Sequence, residues 1–196
     1  MNYEPGFWDD CYAQNKTGWD RGGVHPAFHD WIDASAVRSG KVMVPGCGRG
    51  YEVVEFCRRD FLVTALDMAD EPIRFLREQL AQLDLKAEVL HKDVLEFDAA
   101  NQFDLVYEQT CLCAILPHQR TRYEQQVFRW LKPGGHCFVL FAQKNDDSAG
   151  PPFHCGLNEM QHLFSESRWK WSSKPMIRYD HPGGRLFEYA TSLIRK

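Results

Sequence analysis

An α/β fold built on a mostly parallel sheet is what this chain predicts, and three observations carry the prediction. Apolar runs of strand length alternate with segments of helical period along most of the 196 residues. A glycine-rich turn, Gly46-Cys47-Gly48-Arg49-Gly50, joins the first such run to a helical segment, and Asp67 closes the second run. The last two runs have no helix between them, which calls for an antiparallel ending.

Each element follows from its own residues. Val42, Met43 and Val44 make a buried strand over 41–45, and Val53, Val54, Phe56 and Cys57 share one side of a helix over 51–59. A second strand runs over 61–66. Ile73, Phe75, Leu76, Leu80 and Leu83 recur at helical period over 71–83. Strands follow over 87–91 and 103–107. The helix over 120–131 is stopped by Lys132-Pro133-Gly134-Gly135, a breaker cluster, and a fifth strand covers 136–142. A helix over 157–164 precedes two closing strands, 169–178 and 186–194, joined by the polar Gly/Pro loop 179–185. The result is a seven-stranded sheet with helices on both faces. No repeat or linker divides it, so residues 1–196 read as one domain opened by an aromatic-rich segment, 1–35.

Composition narrows the function classes. The net charge is −4 and no long run of Lys or Arg occurs, so neither a nucleic acid nor an anionic membrane has electrostatic support as a partner. Met1-Asn2-Tyr3-Glu4-Pro5 has no basic or apolar leader character, and no apolar stretch approaches the roughly 20 residues a membrane span needs. The seven cysteines, Cys11, Cys47, Cys57, Cys111, Cys113, Cys137 and Cys155, are odd in number and irregularly spaced. Reduced thiols in a cytoplasm are expected, with no disulfide framework and no metal site. A monomer acting on a small molecule fits this profile.

The glycine turn points to a nucleotide-like cofactor. Glycines let backbone approach a ligand where a Cβ would collide, and Asp67, about 20 residues on, is placed to accept hydrogen bonds from a ribose diol. A dinucleotide site would show a third glycine where Tyr51 stands, and no phosphate-binding G-x-x-x-x-G-K-[ST] loop occurs. The pattern is similar to the S-adenosylmethionine site of class I methyltransferases, whose fold is Rossmann-like. In that reading Asp93 accepts from the adenine amino group and the Val94 N–H donates to a ring nitrogen. The plainer alternatives are a tight turn in an unrelated sheet and an Asp93 that caps a turn.

Longer blocks narrow the likeness. Phe7-Trp8-Asp9-Asp10-Cys11-Tyr12, Thr17-Gly18-Trp19-Asp20-Arg21-Gly22 and Val44-Pro45-Gly46-Cys47-Gly48-Arg49-Gly50-Tyr51 together resemble the thiopurine S-methyltransferase superfamily, and within it the thiol/halide methyltransferase branch. Phe103-Asp104-Leu105-Val106-Tyr107-Glu108-Gln109-Thr110, Leu112-Cys113-Ala114-Ile115, Pro117 with Arg120, Leu131-Lys132-Pro133-Gly134-Gly135 and Gly150-Pro151-Pro152-Phe153 continue it in family order. The resemblance implies that Trp8, Tyr12 and Trp19 cover the cofactor, and that Gly46, Cys47, Gly48, Asp67, Met68, Asp93 and Val94 contact it. It implies an acid, Glu108, near the methionine amino group, and a cation, Arg120, near the acceptor. Core packing for the aromatics, a solvated strand end for Glu108 and a surface ion pair for Arg120 are the alternatives.

Methyl transfer to a soft nucleophile needs positioning and desolvation more than proton chemistry, which suits a chain without a nucleophile–base triad. The expected activity is S-adenosylmethionine-dependent methylation of a small thiol, releasing S-adenosylhomocysteine. A tyrosine of halide-methylating relatives aligns with Ala142, leaving room for a bulkier acceptor. The absence of an Asn/Asp-Pro-Pro-Tyr/Phe loop after the fourth strand counts against methylation of nucleobase amines. An O- or N-methyltransferase of a specialised metabolite, and a non-catalytic cofactor-binding protein, are the competing readings.

Overall fold

The computed structural model describes residues 5–34, 37, 39–145, 149–184 and 186–196. Residues 1–4 and 35 of the expected N-terminal segment and Arg185 of the closing loop lie outside the described residues. In chain order the elements are α1 (Pro5–Ala13), α2 (Pro26–Ala34), β1 (Lys41–Pro45), α3 (Tyr51–Arg58), β2 (Leu62–Asp67), α4 (Asp70–Gln82), β3 (Glu88–His91), β4 (Phe103–Glu108), α5 (Arg120–Trp130), β5 (Leu131–Lys144), α6 (Leu157–Leu163), β6 (Trp169–Trp171), β7 (Ile177–Asp180) and β8 (Leu186–Arg195). A 3-10 turn, Pro117–Gln119, leads into α5.

The strands form one sheet in the order β3-β2-β1-β4-β5-β8-β6, with β7 also on β8. The first five are parallel, and β8 runs antiparallel to β5. The strand expected over 169–178 is two pieces. β6 pairs with Arg195–Leu193 and β7 with Ala190–Phe187, so both occupy the same seventh position along one edge of β8. The break falls at Ser173-Lys174-Pro175, where proline cannot donate to the ladder. The Lys132–Gly135 cluster ends α5 as expected, but lies inside β5 as a bulge: Phe103 pairs with Leu131, and Leu105 with His136.

Side-chain alternation divides the core between the two faces of the sheet. Val42 and Val44 of β1, Leu105 and Tyr107 of β4 and Phe138 of β5 pack with Phe28, Phe56, Ile73 and Leu76 of α2, α3 and α4. Met43, Val106, Cys137, Val139 and Phe141 point the other way, onto Tyr123, Val127, Trp130, Met160 and Phe164 around α5 and α6. Within the aromatic-rich segment the chain forms two short helices that its sequence does not announce, α1 and α2. Pro26 opens α2 at a position where its missing N–H costs nothing. Phe28 of α2 then meets Phe56 edge-on at 4.8 Å, and Phe56 meets Phe61 at 5.1 Å and Tyr107 at 5.7 Å.

Phe56 is therefore the pivot joining α2, α3 and the end of β4. Phe56→Ala should destabilise the fold by about 3–5 kcal/mol, measured as a lower denaturant midpoint at unchanged m-value. A loss under about 1 kcal/mol would mean that the cluster closes around the gap.

Candidate active site

The strand order reverses at β1, which has β2 on one side and β4 on the other. Loops leaving the carboxyl ends of such strands diverge and open a crevice. Here the crevice is a cavity of about 290 Å³. Val44 and Pro45 at the end of β1, Asp67 and Met68 at β2, Asp93, Val94 and Leu95 after β3, and Tyr107, Gln109 and Thr110 at β4 form its floor. Trp8, Tyr12 and Trp19 line it from the N-terminal segment, and Ile115, Leu116, Pro151 and Pro152 from the loops after β4 and β5.

The turn from β1 into α3 needs glycine. Gly46 has φ +58° and a Cβ there would stand 3.0 Å from the Cys111 Cβ; Gly50 has φ +73° and would meet Leu76 Cδ1 at 2.4 Å. The turn is stitched to β2 by Cys47 N–H donating to Leu66 O (2.8 Å) and Gly48 N–H to Asp67 Oδ2 (2.9 Å). Asp67 Oδ1 accepts the Ala69 N–H at 3.0 Å. Burial pushes the Asp67 carboxyl above its usual range, and the N–H groups of Ala69, Gly48 and Met68 and the nearby His91 oppose the shift. Asp93 lines the cavity and also shapes its own turn, accepting the Leu95 N–H at 2.8 Å.

The three N-terminal aromatics form one edge-to-face group. Trp8 and Trp19 have ring centroids 5.4 Å apart, and Tyr12 and Trp19 5.7 Å. Two anchors hold this group over the glycine turn. Asp9 Oδ1 accepts the Asp70 N–H (2.8 Å) and, more weakly, the Glu71 N–H (3.4 Å), capping α4 from α1. His181 Nδ1 accepts the Gly183 N–H, which leaves Nε2–H to donate to Trp19 O at 3.3 Å.

The β4 end of the cavity is backed by a buried polar knot. Ala27 N–H donates to His25 Nδ1 (3.1 Å), so Nε2 carries the proton and donates to Glu188 Oε2 at 3.0 Å. Arg21 donates to the same Glu188 oxygen (3.2 Å) and to Asp180 O (3.0 Å). His25 N–H donates to Glu52 Oε1 at 2.8 Å. Burial pushes the Glu52 carboxyl up to about 7, reinforced by Glu188 and opposed by the His25 N–H and Arg21. Arg21, Glu52, Tyr107 and Gln109 line the cavity and were not singled out from the sequence. The available signals were Arg21 inside the 17–22 block and Glu52 in the first turn after the glycines.

Trp8, Tyr12, Trp19, Gly46, Cys47, Gly48, Asp67, Met68, Asp93 and Val94 are brought together on this cavity. Glu108 and Arg120 are not on its lining. Tyr107 and Glu108 alternate across β4, and the Glu108 side chain turns into the core, where Oε1 accepts the Leu112 N–H at 2.6 Å. Arg120 is 2% exposed and donates to His154 O (3.1 Å), Phe153 O (3.3 Å) and Glu159 Oε1 (3.1 Å). It fastens the segment just after Pro151-Pro152, while its neighbour Gln119 reaches the cavity.

Residues 3–180 match the family described as Thiopurine S-methyltransferase. The chain belongs to this family. It is an S-adenosylmethionine-dependent methyltransferase. Among its relatives, "Probable thiol methyltransferase 2" of Arabidopsis thaliana is 28% identical over 158 residues, 80% of this chain and 70% of the relative. "Thiocyanate methyltransferase 1" of the same plant is 28% identical over 163 residues, 82% of this chain and 71% of the relative. Among solved structures, the Burkholderia thailandensis 1,6-didemethyltoxoflavin-N1-methyltransferase, with 1,6-didemethyltoxoflavin and S-adenosylhomocysteine bound, superposes with a TM-score of 0.80 at 18% identity, covering 98% of this chain and 87% of that one. That likeness is one of fold.

Glu108 makes a pH prediction for this methyltransferase. Burial raises its carboxyl from 4.5 to about 8, so between those values the folded state binds a proton that the unfolded state has lost. The stabilising contribution is complete below about 4.5 and is lost as pH rises through about 8. Glu108→Gln, which keeps an acceptor for the Leu112 N–H, should flatten the fall in melting temperature between those pH values. An equally steep fall in the variant would place the titrating group elsewhere.

Proposed function

We propose that this enzyme methylates small thiols, with the donor held over β1 to β3 and the acceptor at the β4 end. The observation that carries this reading is one cavity joining two unlike ends through an aromatic cover. Gly46 and Gly48 form the tight turn on the cavity wall, where Cys111 and Tyr12 leave a Cβ little space, Asp67 lines the cavity beside that turn as the ribose partner, and Asp93 with Val94 lines it as the adenine partner. These features suit the adenosine part of S-adenosylmethionine. Trp8 and Trp19 offer aromatic faces to a sulfonium, an attraction of about 0.5–2 kcal/mol.

When bound, the cofactor supplies a methyl group already activated by the sulfonium charge. The protein's part is to align and dry the approach to it. Ile115, Leu116, Pro151 and Pro152 give the acceptor an apolar wall, and Arg120 acts as a positioning residue that holds the segment following those prolines. The thiol and thiocyanate chemistry in the relatives' names favours sulfur as the acceptor atom. Seven free cysteines suit a reducing cytoplasm as its place of action.

With saturating S-adenosylmethionine, aryl or alkyl thiols should release S-adenosylhomocysteine and the methyl thioether. Preferred turnover of a hydroxyl or amine acceptor would overturn the S-methyl reading. Asp67→Ala should weaken S-adenosylhomocysteine binding by about tenfold or more, through lost charge-assisted hydrogen bonds, measured by calorimetry. Unchanged affinity would remove Asp67 from the ribose site.

A further inference from the structure

On the β4 side of the cavity two carboxylates, Glu52 on the lining and Glu188 behind it, are set against one guanidinium, Arg21, so one negative charge is left over when both are ionised. Glu52 lines the cavity and is held by one oxygen to the His25 N–H at 2.8 Å. The nearest guanidinium, Arg21, is already committed to Glu188 Oε2 and Asp180 O. The His25 ring is neutral in the tautomer fixed by the Ala27 N–H, and it donates to Glu188 as well. Tyr107, packed against the same cluster, keeps its phenol proton because burial pushes its pKa well up. Farther along the lining, Arg49 pairs with Asp20 at 3.7 Å. Two buried carboxylates, Glu52 and Glu188, therefore share one cation at this end of the cavity. An acceptor arriving as an anion would meet a repulsive wall, whereas one arriving with its proton would meet a base.

We propose that this end takes a neutral nucleophile that still carries its proton, that Glu52 accepts that proton, and that preformed anions such as thiocyanate and iodide are disfavoured. For a thiol, which rests on the S-methyl reading above, the S–H proton passes to Glu52 as a sulfur lone pair forms the new C–S bond. The bond from the methyl carbon to the donor sulfur breaks, and its electrons remain with that sulfur in S-adenosylhomocysteine. Glu52 then returns the proton to water. Its carboxyl titrates at about 7, close to the value at which a general base works best in neutral solution.

The test uses the full chain and Glu52→Gln, which keeps side-chain length and an acceptor for the His25 N–H. In the complex with S-adenosylhomocysteine, thiocyanate binding to the wild type, followed by calorimetry, should strengthen by about fivefold as pH falls from 8 to 6 and Glu52 is neutralised. The variant should bind thiocyanate at pH 8 as tightly as the wild type does at pH 6, with no pH dependence. The ratio of thiol to thiocyanate turnover should drop about a hundredfold in the variant, the loss of one general base. Equal thiocyanate affinity in both proteins at all pH values, or equal loss of both turnovers, overturns the proposal. If the variant does not fold, the same pH series on Glu108→Gln decides, since it removes the other carboxyl that titrates in this range: a pH dependence that persists there supports Glu52, and one that disappears overturns the proposal. If the wild type prefers a hydroxyl or amine and loses that activity with Glu52, the thiol reading falls and the role of Glu52 stands.

Discussion

The turn between β1 and α3 is the constraint on which the rest of the site depends. Gly46 and Gly50 sit in the left-handed region, and each is so closely approached by Cys111 or Leu76 that a side chain has no space. For any other residue the backbone alone would cost about 1–2 kcal/mol per position before the collision is counted. The conformation aims the Cys47 and Gly48 N–H groups at Leu66 O and Asp67, so it fixes the end of β2 as well. It also starts α3 at the angle that lets Phe56 reach Phe28 and Tyr107. One local backbone geometry thus sets the donor floor and the seating of the helix beside it.

The N-terminal segment reaches the same place by different physics. Its helices are nine residues each, too short to be stable alone. Point attachments hold them: Asp9 on the first turn of α4, Phe28 in the aromatic cluster, and Arg21 with His25 on Glu188. Burying those charges costs several kcal/mol per ion unless each finds partners. Glu188 Oε2 has two, and the backbone carbonyl of Asp180 takes the other arm of Arg21. The aromatic group over the cavity is thus held through backbone, ring and charge contacts to the folded core, with Tyr12 buried and Trp8 and Trp19 half-buried.

This difference in physics decides what was legible in the sequence. β1, β2 and β4 are buried on both faces, so their apolar runs are continuous and easily read. That Gly46, Asp67 and Asp93 line one cavity was legible because each stands at or just after the end of one of three neighbouring parallel strands. α1 was not, because it lacks a clean apolar stripe, and α2, whose Ala27, Phe28, Trp31 and Ile32 do form one, is only nine residues long and draws its stability from tertiary contacts. The family resemblance alone suggests that Glu108 and Arg120 lie near a ligand. It carries no information on which side of a strand or helix faces the cavity, and both side chains turn instead into buried hydrogen bonds that hold neighbouring loops. Arg21 and Glu52 escaped for the opposite reason, since what makes them notable is a partner more than a hundred residues away or a cavity formed by another element.

The two ends of the cavity are consequently encoded in different ways. One side of it is built by consecutive loops of β1, β2 and β3, within a short stretch of chain. The side proposed to take the acceptor depends on the meeting of Arg21 and Glu188, which are 167 positions apart, and of His25 and Glu188, 163 apart. A substitution in β8 can therefore change the charge facing the acceptor without touching the glycine turn. The same donor floor can then serve nucleophiles of different charge, because fold and acceptor chemistry are set by separate contacts. If Glu52 takes the proton as proposed, the balance of Glu52 and Glu188 against Arg21 is the physical basis on which the enzyme would tell a thiol from thiocyanate.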